Sequence, residues 1–145
     1  MTRVIRSSAF VGLIVLALFN ALSSFVGGVG VVVTNGLGMP MSQLGGAFDS
    51  FLIPGIVLFV VVGGTQLIAG VLLLRRRESG LLWSAIAGFG MVIWIFVEVM
   101  IIGGGAWLQT LYFVTGLAQV VLVVALLGVV AWLPREALAR HSTHT

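Results

Sequence analysis

Four transmembrane α-helices in a single all-α bundle, with both chain ends on the cytoplasmic side, are what this sequence predicts. Three observations lead there. Of 145 residues, 60% are hydrophobic and only 8% charged, against about 25% charged in an ordinary soluble domain. The apolar residues fall into four long runs, each near the roughly 20 residues needed to cross a hydrocarbon core of about 30 Å. All seven basic residues are arginines that flank the same side of those runs.

The first run extends from Ala9 to Val33 after a short head carrying Arg3 and Arg6. Arg3, Arg6 and Ala21-Leu22-Ser23 resemble the parts of a secretory signal. The apolar run continues past Ser23 to Val33, however, so a retained span is expected. Thr34 to Ser50 is a loop containing glycine and methionine, with Asp49 its one charge. The second span is expected over 51–74. Asp49 or Ser50 can cap its first amides, and Pro54 sits near the first turn, where a missing N–H costs least. Arg75-Arg76-Arg77-Glu78-Ser79-Gly80 makes a tight polar hairpin. The third span is expected over 81–102, ended by Gly103-Gly104-Gly105. The fourth is expected over 107–133, ended by Pro134 and Arg135. The whole chain, 1–145, then forms one transmembrane domain. Continuous runs of this length exclude an outer-membrane barrel, whose strands alternate over about ten residues.

Arg3 and Arg6, Arg75 to Arg77, and Arg135 and Arg140 all fall on one side of this topology. Basic flanks stay cytoplasmic, which gives both termini inside. Trp83 and Trp132 are expected at the inner interface and Trp107 at the outer one, as an aromatic belt. Arg75, Arg76 and Arg77 are expected against anionic lipid headgroups, at about 1 kcal/mol each. The arginines serve topology here, so no nucleic-acid partner is expected.

The chain has no cysteine, and its two histidines, His141 and His144, lie in the polar tail. Thiol chemistry, thiolate metal sites, iron–sulfur clusters and intramembrane bis-histidine haem are thereby excluded. No metal site and no cofactor are expected. No nucleophile–base set and no phosphate-cradling motif is present, so an enzyme is not expected.

Helices in lipid associate through small and polar residues, and each span carries such a stripe at helical spacing. The stripes are Ala17, Asn20, Ser24, Gly27 and Gly28; Gly63, Gln66 and Gly70; Ser84, Ala87, Met91, Trp94 and Glu98; and Gln109, Tyr112, Thr115, Gly116 and Gln119. They should face inward, with branched aliphatic residues toward lipid. Either they are packing contacts, or Asn20, Gln66, Tyr112 and Gln119 line a path.

Glu98 is the one ionisable residue inside an expected span. It lies about 25 Å beyond the inner boundary at 1.5 Å per residue. Intramembrane acids are functional candidates by default. Glu98 either reaches the outer interface as a structural group or faces the bundle and titrates. Trp94, on the same helical face, favours the inward direction. Gln109 and Tyr112 are the expected partners. No basic residue lies near in sequence, so an ion pair would need another molecule.

The stretch Trp94 to Ile102, followed by Trp107-Leu108-Gln109, Tyr112 and Gly116, resembles a pattern in small uncharacterised four-span bacterial membrane proteins. It covers about the last third of the chain. The resemblance implies a four-helix fold in a bacterial inner membrane and groups Glu98, Trp107, Gln109 and Tyr112 into one unit. It implies no activity. The small multidrug exporters are not resembled, because their essential acid lies in the first span.

Three functions remain open. The first is a non-enzymatic accessory subunit or homo-oligomeric bundle with a membrane-protein partner. The second is a proton-linked transporter or channel using Glu98. The third is a protein that binds lipid or another hydrophobic ligand, with Met39-Pro40-Met41 as a cover; methionine adapts well to such surfaces. The plainer expectation for that loop is an ordinary exposed connection.

Overall fold

The computed structural model describes residues 3–103 and 105–128. Among them are four helices long and apolar enough to cross a membrane: α1 (Arg3–Thr34), α2 (Leu52–Leu74), α3 (Ser79–Ile102) and α4 (Trp107–Leu126). No strand occurs among the described residues. The chain is all-helical and reads as a multi-pass membrane protein.

The helices pack in a ring in which α1 and α3 each run along both α2 and α4. The anticipated stripes turn inward: Ala17, Asn20, Ser24 and Gly28 of α1, Gly63, Gln66 and Gly70 of α2, Ser84, Ala87 and Met91 of α3, and Thr115, Gly116 and Gln119 of α4 are buried. Valine, leucine, isoleucine and phenylalanine cover the outside, as at Val15, Leu22, Val60, Ile93 and Val121. Lipid is as apolar as these side chains, so their exposure costs nothing there, and the helices are held by close approach and polar contact.

Two glycine pairs set that approach. A Cβ on Gly28 would stand 2.7 Å from the Phe59 Cβ and 2.9 Å from the Gly55 carbonyl oxygen. A Cβ on Gly88 would stand 3.0 Å from the Gly116 carbonyl oxygen. The first pair brings α1 onto α2, and the second brings α3 onto α4.

Arg3 and Arg6 open α1 at the same end of the bundle as the Arg75–Arg77 hairpin, where the Arg76 guanidinium lies 5.6 Å from the centre of the Phe10 ring. Arg75, Arg76 and Arg77 are all exposed. Arg135, Arg140, Trp132, Pro134 and both histidines lie outside the described residues. Trp107 is 73% exposed at the other end, whereas Trp83 packs against a buried cluster of Ala17, Ala69 and Ala87 and so belongs partly to the core.

Several boundaries differ from those read in the sequence. α1 begins at Arg3, because a helix is not obliged to stop where its apolar run does. α4 runs to Leu126, and Leu127-Gly128 form a turn with Gly128 at φ 74°; the rest of the anticipated span, 129–133, lies outside the described residues. Twenty residues still span about 30 Å. α2 widens into a π-helix over Val57–Gly63, just after Pro54. Ser50 caps α2 through its hydroxyl, which accepts from the Leu52 N–H at 3.3 Å.

The loop between α1 and α2 folds back over the bundle end. Leu44 and Phe51 are each only 2% exposed and cluster with Val31, Met39, Phe48 and Ile101. The Asn35 side-chain oxygen accepts from the Phe51 N–H at 3.2 Å, and the Thr34 hydroxyl accepts from the Leu37 N–H at 2.7 Å. Gly36 is needed at the crossing: its φ is 110°, and a Cβ there would meet the Phe51 ring at 2.5 Å. Of Met39-Pro40-Met41, Pro40 and Met41 are exposed, as an ordinary connection would have them, and Met39 alone is half-buried; Leu44 and Phe51 are the residues that cover the bundle end.

Candidate functional site

The candidate polar residues separate into two regions. Asn20, Gln66 and Gln119, all completely buried, meet at mid-bundle with Thr115. The Gln66 and Gln119 amides bond reciprocally, each Nε2 donating to the other's Oε1 at 3.0 Å. Gln66 Nε2 also donates to the Ala87 carbonyl at 3.3 Å. Asn20 Nδ2 faces Gln119 Oε1 at 3.5 Å, and the Thr115 hydroxyl donates to Asn20 Oδ1 at 3.0 Å. All four helices are thus tied by one network. The glutamine pair bridges the α2–α4 diagonal, where the backbones stay apart. Every side-chain amide group in the layer has a partner. Such a layer specifies which helix faces which, at around 0.6 kcal/mol per bond in a membrane.

Glu98 is elsewhere. It lies on α3 eleven residues past Ala87, about 16 Å along the axis. An apolar layer of Val62, Met91 and Ile95, with Leu58, Val99 and Tyr112 packed against it, intervenes. Tyr112 spends its ring on this layer and on Phe19, whose ring stacks on it with centroids 6.2 Å apart. No hydrogen bond joins Tyr112 to Glu98 among the described residues. The anticipated path of Asn20, Gln66, Tyr112 and Gln119 is therefore not continuous with Glu98.

Glu98 is half-buried on the wall of a cleft of about 80 Å³. Beside it stand Trp94, Val97, Ile101 and Ile102 of α3; opposite are Pro54 and Leu58 of α2 and Val31 of α1. Met39, Leu44, Phe48 and Phe51 of the loop close the top. Glu98 is the only charged group in this lining. Val97 remains 40% exposed, so the cleft is open on that side.

Gln109, at the start of α4, lies near Glu98. Its Oε1 accepts from the Ala106 N–H, which caps α4. Among the described residues no basic side chain pairs with Glu98. Those described, Arg3, Arg6 and Arg75 to Arg77, sit at the opposite end of the bundle. Of the anticipated unit of Glu98, Trp107, Gln109 and Tyr112, Trp107 is exposed and Tyr112 packs on the apolar layer, while Trp94 lines the cleft with Glu98.

Sequence reasoning named Met39 as part of a cover but missed the other loop residues, Leu44, Phe48 and Phe51. A connection of this length containing Leu44, Phe48 and Phe51 carries a signal that was available, since long loops without their own structure are uncommon and often functional. The Ala87 carbonyl could not have been found, because a backbone acceptor has no signature in the sequence. The chain matches no family model, no curated protein and no solved structure with which it was compared.

Proposed function

We propose that this protein is a non-enzymatic membrane bundle that holds an apolar molecule in the cleft beside Glu98. One observation carries the reading: the cleft is lined by aliphatic, aromatic and methionine side chains, and two of the residues that cover it, Leu44 and Phe51, are buried, with the Phe51 N–H bonded to Asn35. Largely preformed apolar concavities with few polar groups are the usual form of small-molecule sites. The π-helical stretch supports it further, because such stretches occur often at functional sites and this one contributes Leu58 to the lining.

A proton path through the bundle is the weaker reading. The mid-bundle amides bond to one another, to the Thr115 hydroxyl and to the Ala87 carbonyl, and the Val62, Met91 and Ile95 layer lies between them and Glu98. An accessory role toward another membrane protein is compatible with a binding bundle. The placement of the arginines and the resemblance of the last third of the chain support a bacterial inner membrane, with the arginine end cytoplasmic.

The test is mass spectrometry of the protein released intact from native lipid discs. Wild type is expected to retain an apolar adduct, and Leu58→Trp, which fills the cleft, to lose it. Absence of any adduct from wild type overturns the reading.

A further inference from the structure

Charge complementarity in the cleft narrows the ligand. We infer that the cleft takes the head of a cationic amphiphile, a molecule with an ammonium group on an apolar chain, with Glu98 as its counter-ion. The inference rests on the binding reading above and adds the chemical class.

Three features support it. The first is the absence of a protein cation: no ion pair to Glu98 exists among the described residues, and the described arginines begin α1 or join α2 to α3 at the far end. A carboxylate on an apolar wall is costly unless paired, and an ammonium group entering the cleft supplies the partner. Gln109 is neutral, and its Oε1 already accepts from the Ala106 N–H, so it supplies no charge to balance the carboxylate.

The second is size. About 80 Å³ is smaller than an engineered cavity of about 150 Å³ that encloses one benzene. The site holds a head and its first few carbons, and the rest of the molecule lies in lipid past Val97. That geometry suits a membrane-resident amphiphile and not an enclosed solute.

The third is depth. Glu98 lies one turn before the end of α3 at Ile102, about 6 Å along the axis. A bound head then sits close to the level of neighbouring headgroups while its chain follows theirs. Trp94 lines the same wall, and an indole is the side chain that attracts a nearby cation most strongly.

The same chemistry is present in a free alkylamine and in the headgroup of an aminophospholipid. The experiment uses the full chain in phosphatidylcholine discs, with Trp83, Trp107 and Trp132 replaced by phenylalanine so that Trp94 reports alone. Dodecylammonium, dodecanol and dodecanoate are titrated, each corrected for its partition into empty discs. Wild-type side chains around the cleft are expected to bind the ammonium about tenfold more tightly than the alcohol, equivalent to about 1.4 kcal/mol, and the carboxylate least. Glu98→Gln is expected to bring the ammonium and alcohol within about twofold of each other.

Equal binding of ammonium and alcohol to the Glu98 protein overturns the inference and leaves the apolar-binding reading standing. Failure of all three probes overturns both. A preference that survives in Glu98→Gln overturns the assignment of Glu98, and the charge series on the Glu98 protein decides the ligand class even if that variant does not fold. Exchanging half of the phosphatidylcholine for phosphatidylethanolamine separates the sources: a lowered ammonium affinity identifies a lipid headgroup as occupant, and an unchanged one identifies a free amine.

Discussion

The mid-bundle layer and the loop-end cleft both place polar groups inside an apolar bundle, and they differ in what those groups meet. Asn20, Gln66, Thr115 and Gln119 meet one another, and their hydrogen bonds close within the chain. Glu98 meets a cleft lined otherwise by apolar and aromatic side chains. Buried polarity that closes on itself fixes the arrangement of helices. Polarity that faces an apolar cleft is open to a partner from outside. The first region holds the fold, and the second is where a ligand can act.

The contrast can be broken most forcefully at the helix contact beside the polar layer. In Gly116→Val the new Cβ lies 3.1 Å from the Gly88 carbonyl oxygen and from the Met91 side chain. α3 and α4 must separate, and a loss of about 3 kcal/mol is expected, measured by detergent-titrated unfolding in bicelles. Next is Gln119→Leu. It leaves the buried amides of Gln66 and Asn20 short of a partner, and about 1–2 kcal/mol should be lost.

The double variant Gln66→Leu/Gln119→Leu sharpens the point. It removes both halves of the reciprocal pair, so its cost should fall below the sum of the two single costs by about 0.6–1.7 kcal/mol. Strict additivity would show that the pair is not coupled.

Smallest should be the effect of Glu98→Gln on stability, within about 0.5 kcal/mol, because no other part of the bundle hangs on that carboxyl. A cost as large as that of Gln119→Leu would make Glu98 part of the scaffold and erase the distinction between the regions. A membrane-soluble carbodiimide should modify Glu98 more readily than Asp49 or Glu78, which are exposed, as read by peptide mass spectrometry. A bound cationic amphiphile should slow that modification.

Much of the fold was legible before any coordinates. Span number and the inward faces follow from run length and from a period of 3.6, both local properties of the chain. Ala17, Asn20, Gln66, Ser84 and Gln119 could be assigned to the interior on spacing alone. The turn at Leu127-Gly128 was not legible, because the apolar run continues across it without a change in hydropathy.

By itself the sequence determined an all-helical, four-span chain with one intramembrane acid and a small or polar stripe on each span that had to face protein. Tertiary structure alone decided the rest: that Gln66 pairs with Gln119 across the α2–α4 diagonal, that an apolar layer separates this pair from Glu98, and that Leu44 and Phe51 swing inward to roof a cleft. The physical reason is the same in each case. Periodicity reports which way a side chain points from its own helix, whereas a hydrogen bond or a cleft depends on which neighbour stands there, and that is set by the order of helices around the ring and the path of the loop over its end.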